Sequence, residues 1–301
     1  MQIATLPIKG KIDKNTLGAL VVSGVLLLIL GYTVYTGTHG EAVFWLAGIA
    51  FGITVQRSRF CFTSAFRDFF LLGQTRMIKG VLVGLAVCTV GFVMVMSTVS
   101  PNPGFGAPPS DANVLPVGLS TLIAGTLFGI GMVLAGGCVS GSLYRMGEGY
   151  VGSWLAIGGV MLGLFLLNNS WNWWWDNLIS SESKIWMPAE ISYTGALLVT
   201  TLLLAALLYL AVWRERRATA GFVMPEIKRK SQENNPANTP SEITGYFRNI
   251  FRKEWSPIVG GIALGIINIL LFIRFRPLGV VGEISRWTTS LSDSLGLQEL
   301  H

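Results

Sequence analysis

Residues 128–145 read FGIGMVLAGGCVSGSLYR, and residues 51–67 read FGITVQRSRFCFTSAFR. Both open on Phe-Gly-Ile and place a cysteine after seven further residues, Cys138 and Cys61. Both set a hydroxyl residue two positions later (Ser140, Thr63) and reach an arginine soon after (Arg145, Arg67). The copies are offset by 77 residues, whether measured from Phe51 to Phe128 or from Cys61 to Cys138. A repeat that carries a thiol, small residues and an arginine inside apolar sequence reads as a substrate path.

The surrounding chain is a membrane sequence. Of its 301 residues 51% are hydrophobic and 13% charged, whereas soluble domains average about 25% charged. Apolar runs approach or reach the roughly 20 residues that cross a bilayer. Seven spans are expected: Thr16–Thr36, Ala42–Val55, Ile78–Val99, Val114–Ala135, Tyr150–Leu167, Ser192–Val212 and Pro257–Phe275. No cleavable signal peptide is expected, because the run after Lys9, Lys11 and Lys14 is long enough to stay in the membrane. The fold class that follows is all-α, a polytopic transmembrane helix bundle with short broken or re-entrant helices carrying the cysteine motifs.

The net charge of +6 does not mark a nucleic-acid binder, because the basic residues sit between apolar runs. Lys9–Lys14, the Gln56–Lys79 region, Arg145 and the nine Lys or Arg of Arg214–Lys253 fall on one side when the spans are counted. The positive-inside rule makes that side, and the N-terminus, cytoplasmic, as in a multi-pass inner-membrane protein. Ser231–Ser241 (SQENNPANTPS) reads as a polar linker. It separates a six-span block (residues 1–213) from a C-terminal membrane segment (257–301) through a basic loop (214–256). Trp171, Trp173, Trp174 and Trp175 read as an interfacial belt that anchors the chain in lipid. Glycine pairs at Gly80/Gly84, Gly125/Gly129, Gly159/Gly163 and Gly261/Gly265 predict close helix packing.

The chemistry concentrates at the repeats. Gly136 and Gly137 interrupt apolar sequence just before Cys138. Broken backbone at membrane depth is tolerated only beside protein or a watery cavity. A helix restarting near Cys138 or Ser140 would aim unpaired N–H groups at an anion, a recurrent transporter device. In the first copy Arg59 and Phe60 stand where the glycines are, and Ser58 or Thr63 can cap the next helix. Arg57 and Arg59 either serve membrane topology or add charge at a mouth of the path. Arg67 and Arg145 balance helix ends, with Asp68 and Glu148 as ion-pair partners or proton-relay groups. Cys61 and Cys138, as neutral thiols, are soft weak donors suited to a sulfur-bearing anion. Cys88 reads as an ordinary small apolar residue. No C-x-x-C pair, zinc pattern or ATP-binding loop occurs, so neither a cofactor nor a metal is expected.

The stretches RSRFCFTSAFRDFF (Arg57–Phe70), GIGMVLAGGCVSGSLYRMGEG (Gly129–Gly149) and RPLGVVGEISRW (Arg276–Trp287) resemble the YeeE/YedE family of bacterial inner-membrane proteins. The resemblance implies uptake of thiosulfate or a related sulfur compound, with Cys61 and Cys138 as two pathway cysteines. The same resemblance implies a small TusA-like sulfur-carrier protein as cytoplasmic partner, and selenium metabolism as an alternative role. The family's third pathway cysteine sits in a GARLAxGC-type motif that this sequence lacks. A shortened member, an incomplete product, or one half of a transporter completed by a second membrane chain are the expectations that follow. A membrane thiol oxidoreductase and a non-transporting subunit stay open as other classes.

Overall fold

The computed structural model describes residues 39–101, 114–221, 254–275 and 279–294, together with positions 24, 28, 31, 32 and 35. The expected span Thr16–Thr36, apart from those single positions, and the linker Ser231–Ser241 lie outside the described residues. The chain divides into two compact units, Met1–Ala50 and Phe51–His301.

Helix α1 is His39–Ser58, and in the second unit α2 (Phe62–Leu71), α3 (Arg76–Val99), α4 (Leu119–Ala135), α5 (Val139–Gly147) and α6 (Val151–Asn169) follow. The tryptophan cluster forms α7 (Trp171–Trp174) and a π-helical turn at Trp175–Ile179. The remaining helices are α8 (Met187–Gly221), α9 (Pro257–Arg274) and α10 (Val280–Ser294). The protein is an all-α polytopic bundle. Among the described residues, Arg76–Val99, Leu119–Gly147, Val151–Asn169, Met187–Arg217 and Pro257–Arg274 are the five segments long and apolar enough to cross a membrane. The expected run Ala42–Val55 is helical within α1, which starts on His39-Gly40-Glu41 and is not one of those five.

The tightest packing joins α3 to α9, and glycine explains it. A Cβ on Gly84 would stand 2.9 Å from the Gly261 carbonyl oxygen, and one on Gly80 would stand 2.5 Å from that of Pro257. Only glycine lets the two backbones come this close. Higher up, Phe92 and Phe272 meet with ring centroids 4.8 Å apart. Helix α8 crosses α3 at a polar tie: the fully buried Thr75 donates to Glu215 Oε2 (2.5 Å), and Lys79 Nζ donates to the same oxygen (2.7 Å). At the other end, Tyr193 donates to the Ser100 carbonyl at 2.9 Å. Near it α8 bends, with Ser192 at φ 61°.

The other two glycine pairs behave differently. A Cβ on Gly125, Gly129, Gly159 or Gly163 would meet nothing within 4 Å. Helix α4 buries no residue and α6 buries only Ser153. Their apolar sides face outward, which is inexpensive where lipid tails are as apolar as leucine.

The short elements position the ends of α4 and α6. Strand β1 (Pro116–Val117) pairs antiparallel with β2 (Ser183–Lys184). This brings Glu182 to the start of α4, where its carboxylate accepts from the Ser120 N–H (2.7 Å) and the Ser120 hydroxyl. It thereby satisfies donors that a helix N-terminus leaves unpaired. Helix α10 packs on α6, with Asn168 donating to Thr289 Oγ1 at 2.8 Å.

Candidate functional site

Both repeats break their helices in the same way. Helix α4 stops because Gly136 turns left-handed, at φ 65°. Helix α1 stops at the equivalent position, where Arg59 takes φ 49°. Glycine adopts this conformation freely; in an L-residue it costs about 1–2 kcal/mol. After each break the cysteine is extended and becomes the N-cap of a short helix, Cys61 for α2 (φ −148°, ψ 126°) and Cys138 for α5 (φ −76°, ψ 169°). Cys138 Sγ accepts from the Gly141 N–H at 3.4 Å.

The two breaks meet. Cys61 Sγ and Cys138 Sγ lie 3.5 Å apart as free thiols. Cys61 is fully buried. Cys138 lines an open groove of about 640 Å³ between α4, α5 and α6, together with Phe128, Gly137, Ser142 and Gly159. Gly141 makes the meeting possible: a Cβ there would come within 2.8 Å of Cys61 Sγ and 3.4 Å of Cys138 Sγ. The sequence reading missed Gly141 and the buried Ser142. The signal for Gly141 was available in the repeat, since Ser64 precedes it by the same 77 residues and both occupy the first turn after a cysteine.

The hydroxyls of the repeat take equivalent places on α2 and α5. Thr63 Oγ1 is buried with no hydrogen-bond partner among the described residues. Ser140 is half-buried one residue into α5. Gly137, buried beside Cys138, leaves room that the Arg145 and Ser142 side chains border at 3.4 and 3.5 Å from where its Cβ would be.

The charged candidates are distributed less centrally. Arg145 Nη1 donates to the Gly136 carbonyl at 2.7 Å, tying the end of α5 back onto the break. This satisfies a carbonyl that a helix terminus would leave orphaned. Glu148 ends α5 through its backbone and forms no ion pair with Arg145 among the described residues. Arg67 holds Asp68 Oδ1 through Nε (3.0 Å) and Nη2 (2.9 Å), as an exposed neighbour pair. Arg59 reaches Glu254 at 3.5 Å, with both side chains exposed. Cys88 sits apart from the thiol pair, in a cavity of about 150 Å³ between α3 and α9 that Phe60 and Phe62 also line. No group of three or more His, Cys, Asp or Glu able to hold a metal occurs among the described residues.

Free thiols paired at the N-termini of two broken helices, inside a polytopic apolar bundle, define a multi-pass membrane protein built around a thiol-bearing helix break. The chain belongs to the Sulphur transport family, the YeeE/YedE proteins, whose profile matches residues 57–298. It is 36% identical over 204 residues to the "Probable transporter YedE" of Escherichia coli (strain K12), which covers 67% of this chain and 47% of that relative. It is 31% identical over 225 residues to the "Thiosulfate transporter TsuA" of the same organism, covering 75% of this chain and 58% of the relative. The TsuA of Spirochaeta thermophila is 39% identical over 131 residues, 43% of this chain and 37% of that relative. The chain thus spans about half the length of the curated relatives it matches.

Proposed function

We propose that this chain carries a sulfur-compound transport path, with thiosulfate or a related sulfur anion handed between Cys61 and Cys138. The observation that carries the reading is the 3.5 Å contact of the two thiols at paired helix breaks. A neutral S–H is a weak donor and a polarizable surface, so it holds a terminal sulfur better than a hard oxygen. The partial positive charge at the starts of α2 and α5 offsets the anion's charge. The Thr63 hydroxyl, buried and without a partner among the described residues, can bond a passing oxyanion. Ser140 takes the corresponding role in the second copy, while Gly136 and Gly137 keep side chains out of the way. Arg145 acts on the path by fixing the Gly136 break, and Arg59 acts at its rim. The relatives' names point to transport and not to an enzyme activity. The same path would accept a selenium analogue.

The placement that goes with this reading is the bacterial inner membrane with the N-terminus cytoplasmic. A TusA-like carrier would then meet the cytoplasmic side of the bundle. The test is uptake of radiolabelled thiosulfate by proteoliposomes holding the wild-type chain or the Cys61→Ala/Cys138→Ala variant, with selenite as competitor. Wild-type uptake that the variant lacks is expected; equal uptake by both sinks the relay.

The thiol contact also favours one second reading. Two free thiols 3.5 Å apart form a disulfide when an external oxidant accepts their two electrons and the two protons leave, and the oxidised pair would no longer offer S–H groups to the path. Reductant-dependent uptake would distinguish a gated transporter from one whose cysteines serve only as a relay.

A further inference from the structure

A separate cavity of about 190 Å³ lies where the end of α1 meets the N-terminal ends of α3 and α9. Arg57, Arg59 and Arg76 line it, with Ser58, Gln74 and Trp255. Two carboxylates share its wall, and each is already engaged: Asp68 by Arg67 at 2.9 Å and Glu254 by Arg59 at 3.5 Å. Arg57 and Arg76 have no side-chain hydrogen bond or ion pair among the described residues. The lining therefore sets three guanidinium groups against two carboxylates and is net positive.

The backbone adds charge of the same sign. Thr75, the N-cap residue of α3, spends its hydroxyl on Glu215 and makes no cap to its own helix. The first N–H groups of α3 are left without that partner beside Arg76 and Met77, both of which line the cavity. The Trp255 N–H donates to the Arg57 carbonyl at 3.1 Å, which ties the segment leading into α9 to the end of α1 and fixes the cavity's two sides. Ser58, buried, uses its proton on the Thr54 carbonyl at 2.6 Å and keeps its lone pairs.

We propose that this cavity is an oxyanion subsite, taking a compact tetrahedral dianion between Arg57 and Arg76; as part of a transport path it rests on the reading above. Guanidinium groups pair with oxyanions through parallel hydrogen bonds. No cysteine lines the cavity, so it selects by charge and is indifferent to whether the anion carries a terminal sulfur. Selection by sulfur at Cys61–Cys138 and charge pairing at this cavity are separate tasks: with the arginines on the cytoplasmic side, an anion taken up meets the thiols first and the arginines on leaving. The same chemistry would hold a lipid phosphate, because the cavity lies at the end of the membrane-crossing helices α3 and α9.

The test is equilibrium binding of radiolabelled sulfate to the full chain in detergent, and in nanodiscs of zwitterionic lipid with and without phosphatidylglycerol. Saturable sulfate binding is expected, weakened about tenfold or more in Arg57→Gln and in Arg76→Gln. Arg57→Lys, which keeps the charge, should retain more binding than Arg57→Gln, and Arg274→Gln, at the opposite end of α9, should bind sulfate as the wild type does. Competition by phosphatidylglycerol assigns the subsite to a lipid headgroup; its absence assigns it to the free anion. No saturable binding, or binding untouched by either glutamine variant, overturns the proposal. A chain that binds sulfate through these arginines and takes up no thiosulfate keeps the subsite and removes the transport reading instead.

Discussion

Gly141→Ala isolates the thiol contact from every other property of the fold. The added methyl would stand 2.8 Å from Cys61 Sγ and 3.4 Å from Cys138 Sγ. Heavy-atom contacts between apolar groups settle near 3.5–4.0 Å, so the Cys61 sulfur must retreat by about 0.7–1.2 Å. Cys61 is fully buried, so it has no open space to retreat into. Overpacking of this kind costs about 1–3 kcal/mol. Gly137→Ala is the control, because its Cβ meets Arg145 Nη1 at 3.4 Å and Ser142 Oγ at 3.5 Å, and its φ is not left-handed. The assay is the rate of Cys61–Cys138 disulfide formation under a copper–phenanthroline oxidant, read by peptide mass spectrometry on the full chain in detergent, with a melting curve alongside. Gly141→Ala should form the bond several-fold more slowly and melt a few degrees lower, whereas Gly137→Ala should match the wild type. A Gly141→Ala protein that crosslinks at the wild-type rate would mean that the two sulfurs do not meet across Gly141.

Three further substitutions probe the frame around the site. Gly84→Leu should collapse the melting transition, because its side chain would run into the Gly261 backbone, whereas Gly129→Leu, with nothing within 4 Å, should leave the melting temperature of the chain unchanged. Glu215→Ala removes the acceptor of both Thr75 and Lys79 and should cost about 1–3 kcal/mol in detergent denaturation, with Thr75, fully buried, bearing most of the loss. Glu182→Ala strips the α4 N-terminus of its carboxylate and should cost about 1 kcal/mol, seen as faster hydrogen exchange at Ser120 and its neighbours.

Much of the helical framework was legible because apolar length is a strong signal. The expected spans at Ile78–Val99, Tyr150–Leu167 and Pro257–Phe275 match α3, α6 and α9 to within two residues at each end. Val114–Ala135 ran together two things: Pro116 and Val117 pair with Ser183 and Lys184 as a strand, and the helix starts only at Leu119. A two-residue strand has no periodicity to read. Ser192–Val212 starts at the bend, Ile191–Ser192, that divides α8, and stops short of its end because α8 runs on through the charged Arg214–Arg217 turn to Gly221. Helix α10 was seen only as a family-like stretch; with Ile284, Thr288 and Ser292 as its buried residues, it is too polar to stand out among membrane spans.

The glycine pairs show where sequence stops informing. Gly80/Gly84 with Gly261/Gly265 and Gly125/Gly129 with Gly159/Gly163 carry the same signal, yet only the first set packs backbone to backbone. Spacing states that a helix can be approached closely; it does not state by what. At the site the converse holds, because the repeat encodes backbone shape through different residues. Arg59 and Gly136, 77 positions apart, take φ 49° and 65°. The glycine copy adopts this turn without strain. The arginine copy adopts it at a cost of about 1–2 kcal/mol, and in exchange places a guanidinium beside Glu254 and on the wall of the arginine cavity. A residue held in an unfavourable backbone region persists where its side chain has a task that glycine lacks. The two copies therefore share one fold and divide its work: the second leaves the turn bare beside Cys138 and the open groove, and the first lends its turn to the basic end of the bundle. Arg59→Gly should keep the Cys61–Cys138 crosslinking rate while weakening sulfate binding, and the loss of both together would show that the first break depends on the arginine itself.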